Sequence, residues 1–226
     1  MRPLIPLLAL SFLASSLRAN ELKVACVGDS ITFGMGAPTG WDYPSQLQRM
    51  VVDGSYFVRN FGVSGATLMR HGDRPYDLQT AFTAAVAWHP DIVVIMLGAN
   101  DSKPKNWGPH QAEFDGDYRW LISQFPPDNG TPPTIFLCRP CWVAGTGKYG
   151  ITDPIIQQEI HIIDKIAANL HLKEIDMHAA LQGHPEDFKD TVHPNQAGAT
   201  LIAMTVYKAL TGHDFTSQVP DPSPTP

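Results

Sequence analysis

A serine hydroxyl attacks a carbonyl only when a neighbouring base takes its proton. A serine nucleophile therefore implies an imidazole, a group to orient it, and donors for the oxyanion that forms. This 226-residue chain carries candidates for each part in four short polar clusters. Ser30, in Gly28-Asp29-Ser30, is the candidate nucleophile. His193 is the candidate general base, and Asp190, three residues earlier, can accept from its second ring nitrogen. The backbone N–H groups of Ser30 and Gly65 and the side-chain amide of Asn100 are candidate oxyanion donors. Each cluster also has an ordinary use: Asp-Ser caps helices, Asn-Asp makes turns, and a histidine before proline can be a plain loop residue. What separates the two readings is whether one fold brings all four to the same place.

The apolar pattern says that it does. Leu22–Val27, Tyr56–Phe61, Ile92–Leu97, Thr134–Cys138 and Lys173–Asp176 read as short strands. Between and after them lie helical segments: Ser45–Val52 behind Pro44, Leu78–Trp88 with Leu78, Ala81, Phe82, Ala85 and Val86 inward, Gln111–Phe125, and Pro154–Leu170. A last helix runs to Leu210, with Asn195 as cap and Gly212 as stop. Strands alternating with helices imply a parallel sheet covered on both faces, a three-layer α/β/α sandwich with flavodoxin-like order 2-1-3-4-5. Ser30, Gly65, Asn100 and the Asp190–His193 pair then all follow carboxyl ends of strands, where open α/β sheets bind their ligands.

Composition sets the class. An apolar fraction of 43% and a charged fraction of 17% are those of a globular chain. A net charge of −6 offers no basic footprint for nucleic acid. Met1-Arg2-Pro3, the apolar run Leu4–Leu13 and the small residues before Ala19 read as a secretory signal peptide, too short for a comfortable membrane span. Removing residues 1–19 takes away two arginines and no acid. The expected organisation is a signal peptide at 1–19, one α/β domain at 20–214 and a disordered proline-rich tail at 215–226. An exported, periplasmic or secreted protein without stable membrane insertion is expected.

The four blocks, Gly28-Asp29-Ser30-Ile31, Asn60 to Gly65, Gly98-Ala99-Asn100-Asp101 and Asp190-Thr191-Val192-His193-Pro194, resemble in order those of the SGNH or GDSL-like hydrolases. Ile31 replaces the leucine of the name motif, and the Gly-x-Ser-x-Gly elbow of ordinary α/β-hydrolases is missing. The resemblance implies that Ser30, Gly65, Asn100 and His193 are the four residues for which the family is named, with Asp190 completing a triad. Its overall look is that of exported bacterial sialate O-acetylesterase-like and carbohydrate acetylesterases. It implies a serine esterase that needs no metal or cofactor and removes short acyl groups, acetyl above all, from a carbohydrate or other small ester.

Three other functions are weighed against that one. A lysophospholipase or thioesterase would use the same groups on longer acyl chains, and a carbohydrate-binding module would use the fold without chemistry. A zinc deacetylase lacks an evident ligand cluster in the sequence. Arg70, His71, Arg74, Trp107, Arg139 and Trp142 lie on expected loops near the cleft. Of these, Arg70, Trp107, Arg139 and Trp142 are the substrate-binding candidates, though such residues also serve as loop anchors. Cys138 and Cys141 have the Cys-x-x-Cys spacing, open to a disulfide, two free thiols or a redox pair, and Cys26 reads as a buried strand residue. Asp29 and Asp101 are expected to hold loops rather than act as acids.

Overall fold

The structure, a computed structural model, describes residues 21–145 and 147–216. The signal peptide expected at 1–19, and all but the first two residues of the proline-rich tail, lie outside the described residues. Five parallel strands form one sheet in the order β2-β1-β3-β4-β5: β1 Leu22–Gly28, β2 Tyr56–Gly62, β3 Ile92–Met96, β4 Thr134–Arg139 and β5 Lys173–Asp176. The sequence-derived order and sandwich architecture hold.

Alternation along the strands builds a core on each face. Val24, Cys26, Val94, Met96, Phe136 and Cys138 face one side. There they meet α2 (Tyr43–Met50), α7 (Met177–Leu181) and α8 (Gln196–Thr211) through Leu47, Leu181, Ile202 and Val206. Ala25, Val27, Val93, Ile95, Ile135 and Leu137 face the other side. That layer holds α3 (Thr80–Ala87), α4 (Pro104–His110), α5 (Phe114–Ser123) and α6 (Asp153–Leu170). Asn195 caps α8 by accepting from Ala197 and Gly198 N–H, and Gly212 ends it in the left-handed conformation, as expected.

Two helical segments differ from expectation. Leu78 is not inward but 75% exposed. It lies in a 3₁₀ turn, Tyr76–Leu78, and α3 starts only at Thr80. Three residues per turn reset the face, so Tyr76 takes the buried position and donates its hydroxyl to Phe61 C=O at 2.7 Å. The expected Gln111–Phe125 helix begins earlier, at Pro104, and breaks into α4, a 3₁₀ turn and α5. Pro109, which has no N–H to donate, stands where α4 fails.

Register aligns the strand ends. Gly28 lies opposite Gly62 of β2 and Met96 of β3. The one-turn helix α1 (Ser30–Phe33) presses onto this edge: a Cβ on Gly62 would lie 2.3 Å from Phe33 N, and one on Gly28 2.1 Å from Thr32 Oγ1. Glycine at these ends therefore lets the Ser30 turn close onto the sheet.

Candidate active site

Ser30 is the first residue of α1 and Asp29 its cap; Asp29 Oδ1 accepts from Ile31 N–H at 2.9 Å. Ser30 is buried except for a small opening, 6% exposed. At the start of a helical turn its N–H has no helical acceptor. Among the described residues neither the Ser30 nor the Gly65 N–H donates a hydrogen bond. Gly65 has φ of 79°, and the nearest side chain to a Cβ there, Arg74, would be 3.7 Å away. Backbone conformation, rather than crowding by the protein, thus calls for glycine at this position. Asn100 Nδ2 donates to Ala66 C=O at 3.0 Å and makes a longer 3.3 Å contact with Asp29 Oδ2.

From the far side of the sheet edge, His193 Nε2 lies 3.0 Å from Ser30 Oγ, and His193 Nδ1 lies 3.0 and 3.1 Å from the two oxygens of Asp190. The Asp190 carboxylate also accepts from Val192 and His193 N–H, so it fixes its own loop as well as the ring. Partial burial would raise this carboxyl; the bonds from the His193 ring and N–H outweigh it and hold Asp190 well below the usual carboxylate range. Thr191 takes a left-handed φ of 72° to allow the turn. The loop is then pinned by Ala144 N–H to Thr191 C=O and Lys189 N–H to His193 C=O. Val192 packs with Ala99, Val143, Ile151, Ile156 and Ile160, which ties the His193 loop to the Asn100 turn through one apolar cluster. An ionised, oriented Asp190 facing an imidazole that faces a hydroxyl is an arrangement able to move a proton off that hydroxyl.

Buried carboxyl groups brace the floor. Asp101 accepts from Leu68 and Met69 N–H at 2.9 and 2.7 Å, anchoring the loop after Gly65, while burial pushes its pKa up to about 7. Burial likewise pushes Asp29 up to about 6, against the Ile31 N–H bond. Sequence reasoning missed Glu159 of α6, fully buried beside Gly98 with neither oxygen partnered among the described residues. Burial, then the nearby Asp101 and Asp29, raise its carboxyl far above the usual range. Each of these acids has a folded pKa above its unfolded value. Their stabilising contribution is thus fully present in acid and lost as pH rises through the folded pKa. The Glu159→Gln variant is therefore expected to lose Tm less steeply than the wild type between about pH 4.5 and pH 8. Parallel Tm profiles for the two proteins would refute this.

The substrate-binding candidates are placed differently from one another. Arg139 is the last residue of β4, not a loop residue; it makes a two-pronged pair with Asp164 at 2.8 and 3.2 Å and a bond to Asp176 at 2.5 Å. Its guanidinium ties β4 to α6 and β5. Trp107 is buried against Phe114, and Arg70 pairs with Asp77 while stacking 4.3 Å over Trp120. The structure therefore does not present these three as free groups at the cleft. Trp142 is half-buried, edge-on to Phe188 in the segment that leads to His193. Arg74 donates to Ser64 C=O at 2.6 Å, beside Gly65. Lys148 and Tyr149, which sequence reasoning missed, both reach Asp190 Oδ2, at 3.4 and 3.3 Å. The exposed Tyr149 ring stands 5.7 Å from that of His193. The long Arg139–Asp153 connection was their only signal. Cys26, Cys138 and Cys141 are free and buried, and burial raises each thiol, Cys26 to about 12. That is the opposite of the lowered pKa a redox pair needs.

Comparison with known proteins adds the lineage. The fold is similar to solved structures of a carbohydrate acetylesterase from Sinorhizobium meliloti (TM-score 0.69, 19% identity, 85% of this chain and 99% of that one). It is also similar to an acetyl xylan esterase from Geobacillus stearothermophilus (TM-score 0.66, 22% identity, 87% and 97%). At such identities the likeness is one of fold. In sequence the chain is 37% identical over 213 residues to an acetylxylan esterase of Xylanibacter ruminicola, covering 85% of this chain. It spans 44% of that relative's length. Residues 26–201 match the GDSL-like lipase/acylhydrolase family, and the chain belongs to that family.

Proposed function

We propose that this protein is a serine carboxylic ester hydrolase that removes acetyl groups from hydroxyls of carbohydrates. Ser30 Oγ attacks the acyl carbonyl as His193 Nε2 takes its proton; His193 then returns the proton to the departing sugar oxygen. Asp190 holds the imidazole in the required tautomer and stabilises the imidazolium. The oxyanion takes the free Ser30 and Gly65 N–H groups and the Asn100 amide, which exchanges its longer contact with Asp29. Water then attacks the acyl-enzyme by the same proton route in reverse. The observation that carries this reading is the unbroken Ser30–His193–Asp190 hydrogen-bond chain at 3.0 Å per link, beside two N–H donors without acceptors. Asn100→Ala is expected to lower kcat by ~10²–10³ with KM little changed, the usual loss for one oxyanion donor. Steady-state kinetics check it; an unchanged kcat would remove Asn100 from the site.

Acetyl as the acyl group, and a carbohydrate as the alcohol, rest on the acetylxylan esterase likeness and the carbohydrate acetylesterase fold neighbours. Xylan is the first sugar polymer to test. Hydrolysis of nitrophenyl acetate, butyrate and octanoate with EDTA present separates this reading from the long-chain alternative. Acetate is expected to be the best substrate by at least about tenfold, since one methylene that a pocket sized for acetyl cannot hold costs roughly 10–200-fold. Octanoate as the best substrate would favour a lysophospholipase or thioesterase, and loss of activity in EDTA with an unchanged Tm would contradict the metal-free mechanism. The N-terminal sequence supports export after cleavage near Ala19. Among the described residues no helix is long and apolar enough to cross a membrane.

A further inference from the structure

We propose that His71, His110 and Glu113 form a site for a divalent transition-metal ion of the zinc type, separate from the Ser30 cleft. Three segments converge there. His71 lies in the loop between β2 and α3, His110 ends α4, and Glu113 ends the following 3₁₀ turn. The two imidazoles use opposite oxygens of one carboxylate: His71 Nδ1 is 2.8 Å from Glu113 Oε2, and His110 Nδ1 is 3.0 Å from Oε1. The two rings lie 5.9 Å apart at 32°. None of the three residues is a hydrogen-bond partner of Ser30, Asp190 or His193.

Two neutral imidazoles and a carboxylate are a borderline donor set that suits zinc and its neighbours, not magnesium or calcium, which take oxygen. A tetrahedral ion with bonds of ~2.0–2.1 Å separates adjacent ligand atoms by roughly 3.3 Å. The donor atoms, one from each residue, lie within 4.8 Å of one another, so side-chain rotation must draw the second imidazole toward the oxygen shared with the first. His71 is mostly exposed, so its ring can move and the ion can enter from solvent. Hydrogen bonding and the charge of Glu113 raise the His71 pKa, while His71 and His110 lower that of Glu113. A bound ion would join the loop to α4 beside an existing clasp. In that clasp Asp73 N–H donates to Asn106 Oδ1, and Asn106 Nδ2 donates to Asp73 and to Asn100 C=O. The staple would thus sit next to the support of the Asn100 turn without touching the reacting groups.

Equilibrium dialysis of the tag-free, metal-stripped full chain against zinc chloride tests this. The comparison proteins are Glu113→Gln, the His71→Ala/His110→Ala double variant, and His184→Ala. The last alters a second histidine–carboxylate group among the described residues, His184, Glu186 and Asp187, which is local in sequence and richer in acid. Wild type and His184→Ala are expected to bind one equivalent. Their Tm should rise by about 5 °C or more at a zinc concentration of about a hundred times Kd. The double variant and Glu113→Gln should show neither effect, magnesium chloride should be inert, and metal-free Tm values should show that every variant folds. Zinc binding by the double variant equal to wild type, loss of binding in His184→Ala, or no binding by wild type would each overturn the proposal.

Discussion

Ser30→Ala is expected to lower kcat/KM on nitrophenyl acetate by roughly 10⁴-fold or more while leaving the protein folded. The size follows from the division of labour. Without the hydroxyl there is no acyl-enzyme, and only oxyanion donors and binding remain to help water. Folding should survive because the Oγ makes its hydrogen bond to His193 and to no other described residue, while Asp29 still caps α1. The measurement is a pair: turnover, and Tm of the same preparation. A Tm within a few degrees of wild type with activity gone is the expected result. Retained turnover would mean that Ser30 is not the nucleophile.

The second large effect is expected at Asp190. Asp190→Asn should reduce kcat by roughly 10³–10⁴. An asparagine oxygen can still accept from Val192 and His193 N–H, so the loop keeps its shape. Its NH₂, however, then faces His193 Nδ1, which forces the proton onto Nε2, the atom that must accept from Ser30. A cost in stability accompanies the cost in rate. The Asp190 carboxyl has a folded pKa below its ordinary 3.8. Its contribution is present above that value and lost only as pH falls through the folded pKa. At neutral pH the variant should therefore melt below wild type, with the gap closing in strong acid. A variant with wild-type kcat would show that Asp190 serves only its own loop.

The fold was legible because its signals are local: β-branched runs for strands, amphipathic segments for helices, and Asn195 and Gly212 as brackets on α8. The juxtaposition of Ser30, Gly65, Asn100 and His193 followed from strand order, since parallel strands with aligned ends deliver whatever follows them to one edge. What stayed illegible was decided by partners distant in the chain. Arg139 and Trp107 look like groups waiting for a sugar until Asp164, Asp176 and Phe114 are seen to occupy them. Leu78 fits a helical stripe, but the 3₁₀ turn before α3 rotates it out. Glu159 carries no signal in the sequence, and only packing beside Gly98 buries it. Lys148 and Tyr149 lie in a glycine-rich connection with no periodicity, so only the folded loop brings them to Asp190.

The most direct test of the serine mechanism is labelling with a small alkyl phosphonate ester, located by peptide mass and followed against nitrophenyl acetate hydrolysis. A single label on Ser30, with activity lost in proportion to its occupancy and no label on the Ser30→Ala variant, is the expected result. Hydrolysis that persists after Ser30 is fully labelled, or an inactivating label on another residue, would contradict the account.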